Sequence, residues 1–78
     1  MKKIDSALRE LCLSQPNQTI QVVIIGILTV EEVLELGLAP INGLDNFYKG
    51  KLIGRKILKL EKLDAIKNIE IDADMGVL

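Results

Sequence analysis

Residues 53–72 read IGRKILKLEKLDAIKNIEID, and that run decides the fold. Ile57, Leu60 and Leu63 fall three apart, which sets them along one stripe of a helix. Gly54 opens that helix, expected over about Arg55–Leu63, and Asp64-Ala65 turns the chain. From Ile66 the period changes to two. Ile69 and Ile71 point inward and Glu70 and Asp72 outward, as in a half-buried strand over Ile66–Asp72. Helix, turn and strand thus direct one apolar side toward a common core.

Upstream, Phe47 to Ile53 alternates as a second strand. Tyr48, Gly50 and Leu52 share one face, and Lys49 and Lys51 share the other. Asn42-Gly43 is a strong turn signal ahead of it, with Leu44-Asp45-Asn46 widening the loop. Thr29-Val30-Glu31-Glu32 is a capping box, in which the Thr29 hydroxyl and the Glu32 carboxylate satisfy each other's amides. Leu28 and Val33 are spaced to staple that helix start. Gly37 suits the left-handed C′ position, Leu38 folds back on Val33, and Pro40 blocks continuation. A helix over Val30–Leu36 follows.

Thr19 to Leu28 is rich in β-branched residues and apolar on both faces after Gln21, which predicts a central strand. Ile4, Ala7, Leu8 and Leu11 recur at helical spacing, with Asp5 or Ser6 as N-cap. They predict a helix over residues 4–13, ending before the polar linker Ser14-Gln15-Pro16-Asn17-Gln18.

After the N-terminal helix the order is strand, helix, strand, strand, helix, strand. Right-handed crossovers turn it into an α+β, ferredoxin-like βαββαβ fold. That fold is a four-stranded antiparallel sheet with two helices on one face and an extra N-terminal helix. The first and third strands should be central. The whole of 1–78 reads as one domain: residues 4–13 helix, 14–18 linker, 19–72 core and 73–78 tail. The far face of the sheet has no intrachain cover unless the N-terminal helix folds over it.

Composition narrows the function. The 78 residues are 49% hydrophobic, mostly aliphatic, with Phe47 and Tyr48 the only aromatics. The formal charge of −1 gives no net attraction to nucleic acid or anionic lipid. There is no histidine for general-base work and no Ser/His or Cys/His pair, so no enzyme is expected. Cys12 is the only cysteine; it forms no internal disulfide and reads as a buried, inert thiol. A cytoplasmic residence follows as the default. The apolar run Ile20–Leu28 is too short to span a bilayer, so no membrane partner is expected. The charged start Met1-Lys2-Lys3-Ile4-Asp5 does not resemble a signal peptide.

Glu70, Asp72 and Asp74 lack the loop glycine of a cation site, and a solvated acidic edge is expected there instead of a metal; no cofactor is expected. An RNA-recognition module of this topology stacks bases on aromatics of its two central strands. Here those strands offer Val22–Ile25 and Lys49-Gly50-Lys51-Leu52, which have none. Ferredoxin-like copper carriers need paired cysteines after the first strand, which are also missing.

The stretch Tyr48–Asp72 resembles the propeptide domain of subtilisin-like serine proteases, a family that includes stand-alone inhibitors of those enzymes. The matching features are Lys51-Leu52 at a strand end, then Ile57, Leu60 and Leu63, then Ile66-Lys67-Asn68-Ile69-Glu70-Ile71-Asp72. Gly54 stands where the family has a capping Thr or Ser, and Asp64-Ala65 replaces its proline-containing turn. The resemblance implies a non-catalytic protein-binding domain, an inhibitor or folding helper of a subtilisin-like protease. By the same resemblance, Glu70 and Asp72 would meet the N-termini of two protease helices. The tail with Met75, Gly76, Val77 and Leu78 would lie in the substrate cleft as an added strand. Leu78 would fill the primary specificity pocket and Met75 an outer apolar one. The other reading is a small self-associating module whose open sheet face, with its apolar Val22–Ile25 run, pairs two copies as a homodimer.

Overall fold

The computed structural model describes residues 3–72. The chain forms α1 (Ser6–Ser14), β1 (Thr19–Gly26), α2 (Val30–Leu36), β2 (Ala39–Pro40), β3 (Phe47–Ile53), α3 (Gly54–Glu61) and β4 (Ile66–Ile71). The four strands make one antiparallel sheet in the order β2-β3-β1-β4, with β1 and β3 central as the sequence predicts. This is the ferredoxin-like βαββαβ arrangement, preceded by one extra helix.

The register fixes which side chains share a face. Ile20 lies opposite Leu52, Val22 opposite Gly50 and Ile71, and Ile24 opposite Tyr48 and Ile69. These form the inner face. Ile20, Val22, Ile24, Leu52 and Ile69 are buried there beneath Ile57 and Leu60 of α3. The alternate residues form the outer face.

Local signals set most element ends. The capping box of α2 is complete: Glu32 N–H donates to Thr29 Oγ1 at 3.1 Å, and Thr29 N–H donates to Glu32 Oε1 at 2.9 Å. Gly37 is left-handed at φ 71°, and Leu38 N–H donates back to the Val33 carbonyl at 3.0 Å. Replacing Thr29 with Ala should remove about 1 kcal/mol of stability. Thermal melts should then show a fall of roughly 4–8 °C; an unchanged melting temperature would mean that α2 is held by packing alone.

Several boundaries differ from the sequence reading. β1 stops at Gly26 instead of Leu28. Its pairing with β4 shifts between Ile25 and Gly26. Gly26 N–H then donates to the Asn46 carbonyl and Ile27 N–H to the Ala65 carbonyl, both at 2.9 Å, which draws the chain out of the ladder. β2 is only two residues long, pairing Ala39 with Lys49 and Pro40 with Tyr48, and Ile41 N–H donates to the Phe47 carbonyl at 3.0 Å where it ends. α3 ends at Glu61, before Leu63, where Leu63 N–H bonds the Leu60 carbonyl in a tighter turn. Leu63 is therefore 44% exposed and is not a rung of the core. Ile71 lies on the inner face but is 41% exposed, at the last position of an edge strand. β4 accordingly closes at Ile71, one residue before Asp72.

α1 starts at Ser6, with the Asp5 carboxylate as N-cap accepting from Leu8 N–H at 2.7 Å, and it runs through Ser14. It lies antiparallel beside α3. Arg9 pairs with Glu61 near the end of α3, and Gly54 at its start touches the backbone of Cys12. A Cβ on Gly54 would come within 2.9 Å of Cys12 Cα, so the missing side chain is what lets the two helices approach. Two adjoining stripes of α3 explain the layering. Ile57 and Leu60 face the sheet, while Gly54, Leu58 and Glu61 line up, i to i+4 to i+7, toward α1. Ile4, Leu8 and Cys12 are buried in the common core.

Candidate functional site

Because α1 joins α3, the outer face of the sheet carries no helix from the described residues. α2 also lies on the inner side, since Leu38, just after its Gly37 cap, packs over Gly50. The outer face is built chiefly by β3, β1 and β4 in register, with Ala39 of β2 beside Lys49 at its edge. Lys49, Val23 and Glu70 form one cross-strand row, and Lys51, Gln21 and Asp72 form the next. Phe47, Ile25 and Asn68 form a third.

Charge is sorted by strand. β3 contributes the exposed cations Lys49 and Lys51. β1 contributes the half-buried Val23 and Ile25. β4 and the residue after it contribute exposed Glu70 and half-buried Asp72. Glu70 accepts from Asn68 Nδ2 at 2.7 Å, and Asp72 accepts from Gln21 Nε2 at 3.1 Å. Asp72 N–H also donates to the Gln21 carbonyl at 2.9 Å, which continues the ladder past β4. Lys49, Lys51 and Glu70 have no ion-pair partner among the described residues.

Glu70 and Asp72, singled out from the sequence, thus come together on the outer face. Met75, Gly76, Val77 and Leu78 lie outside the described residues. Cys12 is fully buried, and burial pushes its thiol above the ordinary range. Arg9 opposes that rise and Glu61 adds to it. The thiolate needed for nucleophilic or redox chemistry is therefore suppressed.

Two features escaped the sequence reading. Leu28, Val33, Leu34, Leu38, Pro40 and Tyr48 line an apolar groove of about 440 Å³ between α2 and β2. Val30 also lines it, and Val30 and Leu34 are 75% and 73% exposed. Lys51, Arg55, Lys56 and Lys59 surround a cationic recess of about 310 Å³ at the start of α3. The sequence signal of the groove is the apolar pair Val30 and Leu34 one helical turn apart; the recess exists only through the β3–α3 corner.

Among the described residues no group of three or more His, Cys, Asp or Glu side chains could hold a metal ion. No described helix is long and apolar enough to cross a membrane. Fold and surface together define a small ferredoxin-like α+β domain with one charge-sorted sheet face that no described residue covers. No protein-family model, curated protein or solved structure matches the chain.

Proposed function

We propose that this chain is a non-catalytic, cytoplasmic protein-binding domain that works through the outer face of its sheet. One observation carries the reading: all three helices gather on the inner side, leaving half-buried Val23 and Ile25 without a cover from the described residues. An apolar centre with a charged rim is the usual build of a protein-recognition patch. The cytoplasmic residence rests on a single cysteine kept as a buried free thiol.

The resemblance of Tyr48–Asp72 to subtilisin propeptides supplies one partner class, a subtilisin-like serine protease. In that reading the outer face docks on two protease helices, with Glu70 and Asp72 at their N-termini, where orphan amides favour carboxylates. The segment Met75-Gly76-Val77-Leu78 enters the substrate cleft and acts as a product-like inhibitor. Micromolar protein should then slow members of a subtilisin-like protease panel, and deletion of Val77 and Leu78 should remove most of the potency. Full protease activity, or digestion of the domain, would exclude the protease. The charge geometry of the same face favours self-association as a second reading.

A further inference from the structure

We propose that the outer sheet face pairs with the same face of a second copy of this chain, about a two-fold axis running nearly parallel to β1. The inference rests on the reading that this face is the working surface, and it names the partner.

On the outer face Lys49 and Glu70 flank Val23 at one height, and Lys51 and Asp72 flank Gln21 at the next. Cations stand on one side of β1 and carboxylates on the other. A two-fold axis along β1 exchanges the two sides while keeping the height. It brings Lys49 over Glu70 of the partner subunit and Lys51 over Asp72 of the partner subunit, each twice. Val23 and Ile25 lie next to the axis and meet their own counterparts. An in-plane axis perpendicular to β1 keeps the sides unchanged, so lysines would face lysines and carboxylates would face carboxylates. The charge pattern therefore admits one face-to-face dimer and opposes the other. The natural sheet twist is accommodated by the usual crossing of about 30° between aligned sheets.

The size of the face sets the strength. Three strands about 4.8 Å apart and seven residues at about 3.3 Å each span a plane of roughly 330 Å². A stable interface buries about 800 Å² per partner. The dimer is accordingly weak and concentration-dependent, and salt should loosen it because its rim contacts are ionic.

Two single substitutions test the arrangement without touching the core, with far-UV circular dichroism to check folding. Lys49→Glu sets two Glu70 contacts against carboxylates, and Glu70→Lys sets two Lys49 contacts against cations. In sedimentation velocity each variant alone should self-associate at least about tenfold more weakly than the wild type. An equimolar mixture of the two should form a heterodimer, because every contact is again between opposite charges. The double variant K49E/E70K should regain self-association. A wild type that stays monomeric to millimolar concentration overturns the proposal. So do single variants that associate like the wild type, and a mixture that does not recover. A monomeric wild type that still inhibits a protease would discard the second copy while leaving the protein-binding face in place; a monomer without a protease target would discard both.

Discussion

A chain that begins at Pro16 is expected not to fold. The helix it lacks looks like an appendage in sequence, because the βαββαβ pattern is complete without it. In the structure the helix and the residues leading into it supply Ile4, Leu8 and Cys12 to the core, all essentially inaccessible to solvent. Truncating one buried Leu or Ile to Ala costs about 2–5 kcal/mol. Losing two aliphatic side chains and a buried cysteine removes an amount comparable to the roughly 4–12 kcal/mol available to a domain of this size. The loss also bares the α1-facing stripe of α3. It removes the Lys3 carbonyl that accepts from Ile69 N–H at 2.8 Å along the open edge of β4. Circular dichroism of the truncated chain should show little ordered structure and no cooperative melt. A sharp melt near that of the full chain would mean that α1 only decorates a self-sufficient core.

The parts of this fold that were legible in sequence are those fixed by local chemistry. The bounds of α2 follow from a Thr29–Glu32 capping box at one end and Gly37 at the other, and both act within a few residues. The bounds of β3 follow from strict alternation between Asn46 and Gly54. Element order then leaves the sheet few choices, so the central placement of β1 and β3 could be read before any contact was known. What could not be read depends on residues far apart in the chain. Ile27 and Leu28 continue the apolar run of β1, and only the Ala65 carbonyl, brought in by the α3–β4 turn, tells the strand to stop. The helical spacing of Ile4, Leu8 and Leu11 marks a buried stripe without naming what buries it. Either side of the sheet was open to α1 until Gly54, with no side chain, admitted Cys12.

The outer face divides in the same way. Alternation alone predicts that Lys49, Lys51, Glu70 and Asp72 turn outward, as they do. Their matching heights on either side of β1 come from the register of two ladders, which no local signal encodes. That is why the resemblance singled out two carboxylates, whereas the geometry adds two lysines and an apolar strip between them. The face is only as well defined as the registers, and those depend on how β1 meets β4 at its far end.

That junction is where a single methyl group should do the most harm. Gly26 closes β1 beside the α3–β4 turn, and an added Cβ would lie 2.5 Å from the Ala65 carbonyl oxygen and 3.1 Å from Ile66 Cα. Both are backbone atoms, so no rotamer change relieves the overlap. The carbonyl is also committed, since it accepts from Ile27 N–H at 2.9 Å. Relief requires β1 and β4 to separate at the register shift, beside buried Ile24 and Ile66. Gly26→Ala should cost about 3 kcal/mol or more, the upper range for forcing atoms into packed surroundings. Gly37→Ala is the contrasting control. Gly37 has a positive φ of 71° but nothing within 4 Å of the new Cβ. Only the left-handed backbone is penalised there, by about 1 kcal/mol. Chemical denaturation of the two variants should rank Gly26→Ala well below Gly37→Ala in stability. If the order reverses, backbone conformation and not the approach of β1 to Ala65 governs the junction, and the register that aligns Val23 with Glu70 loses its anchor.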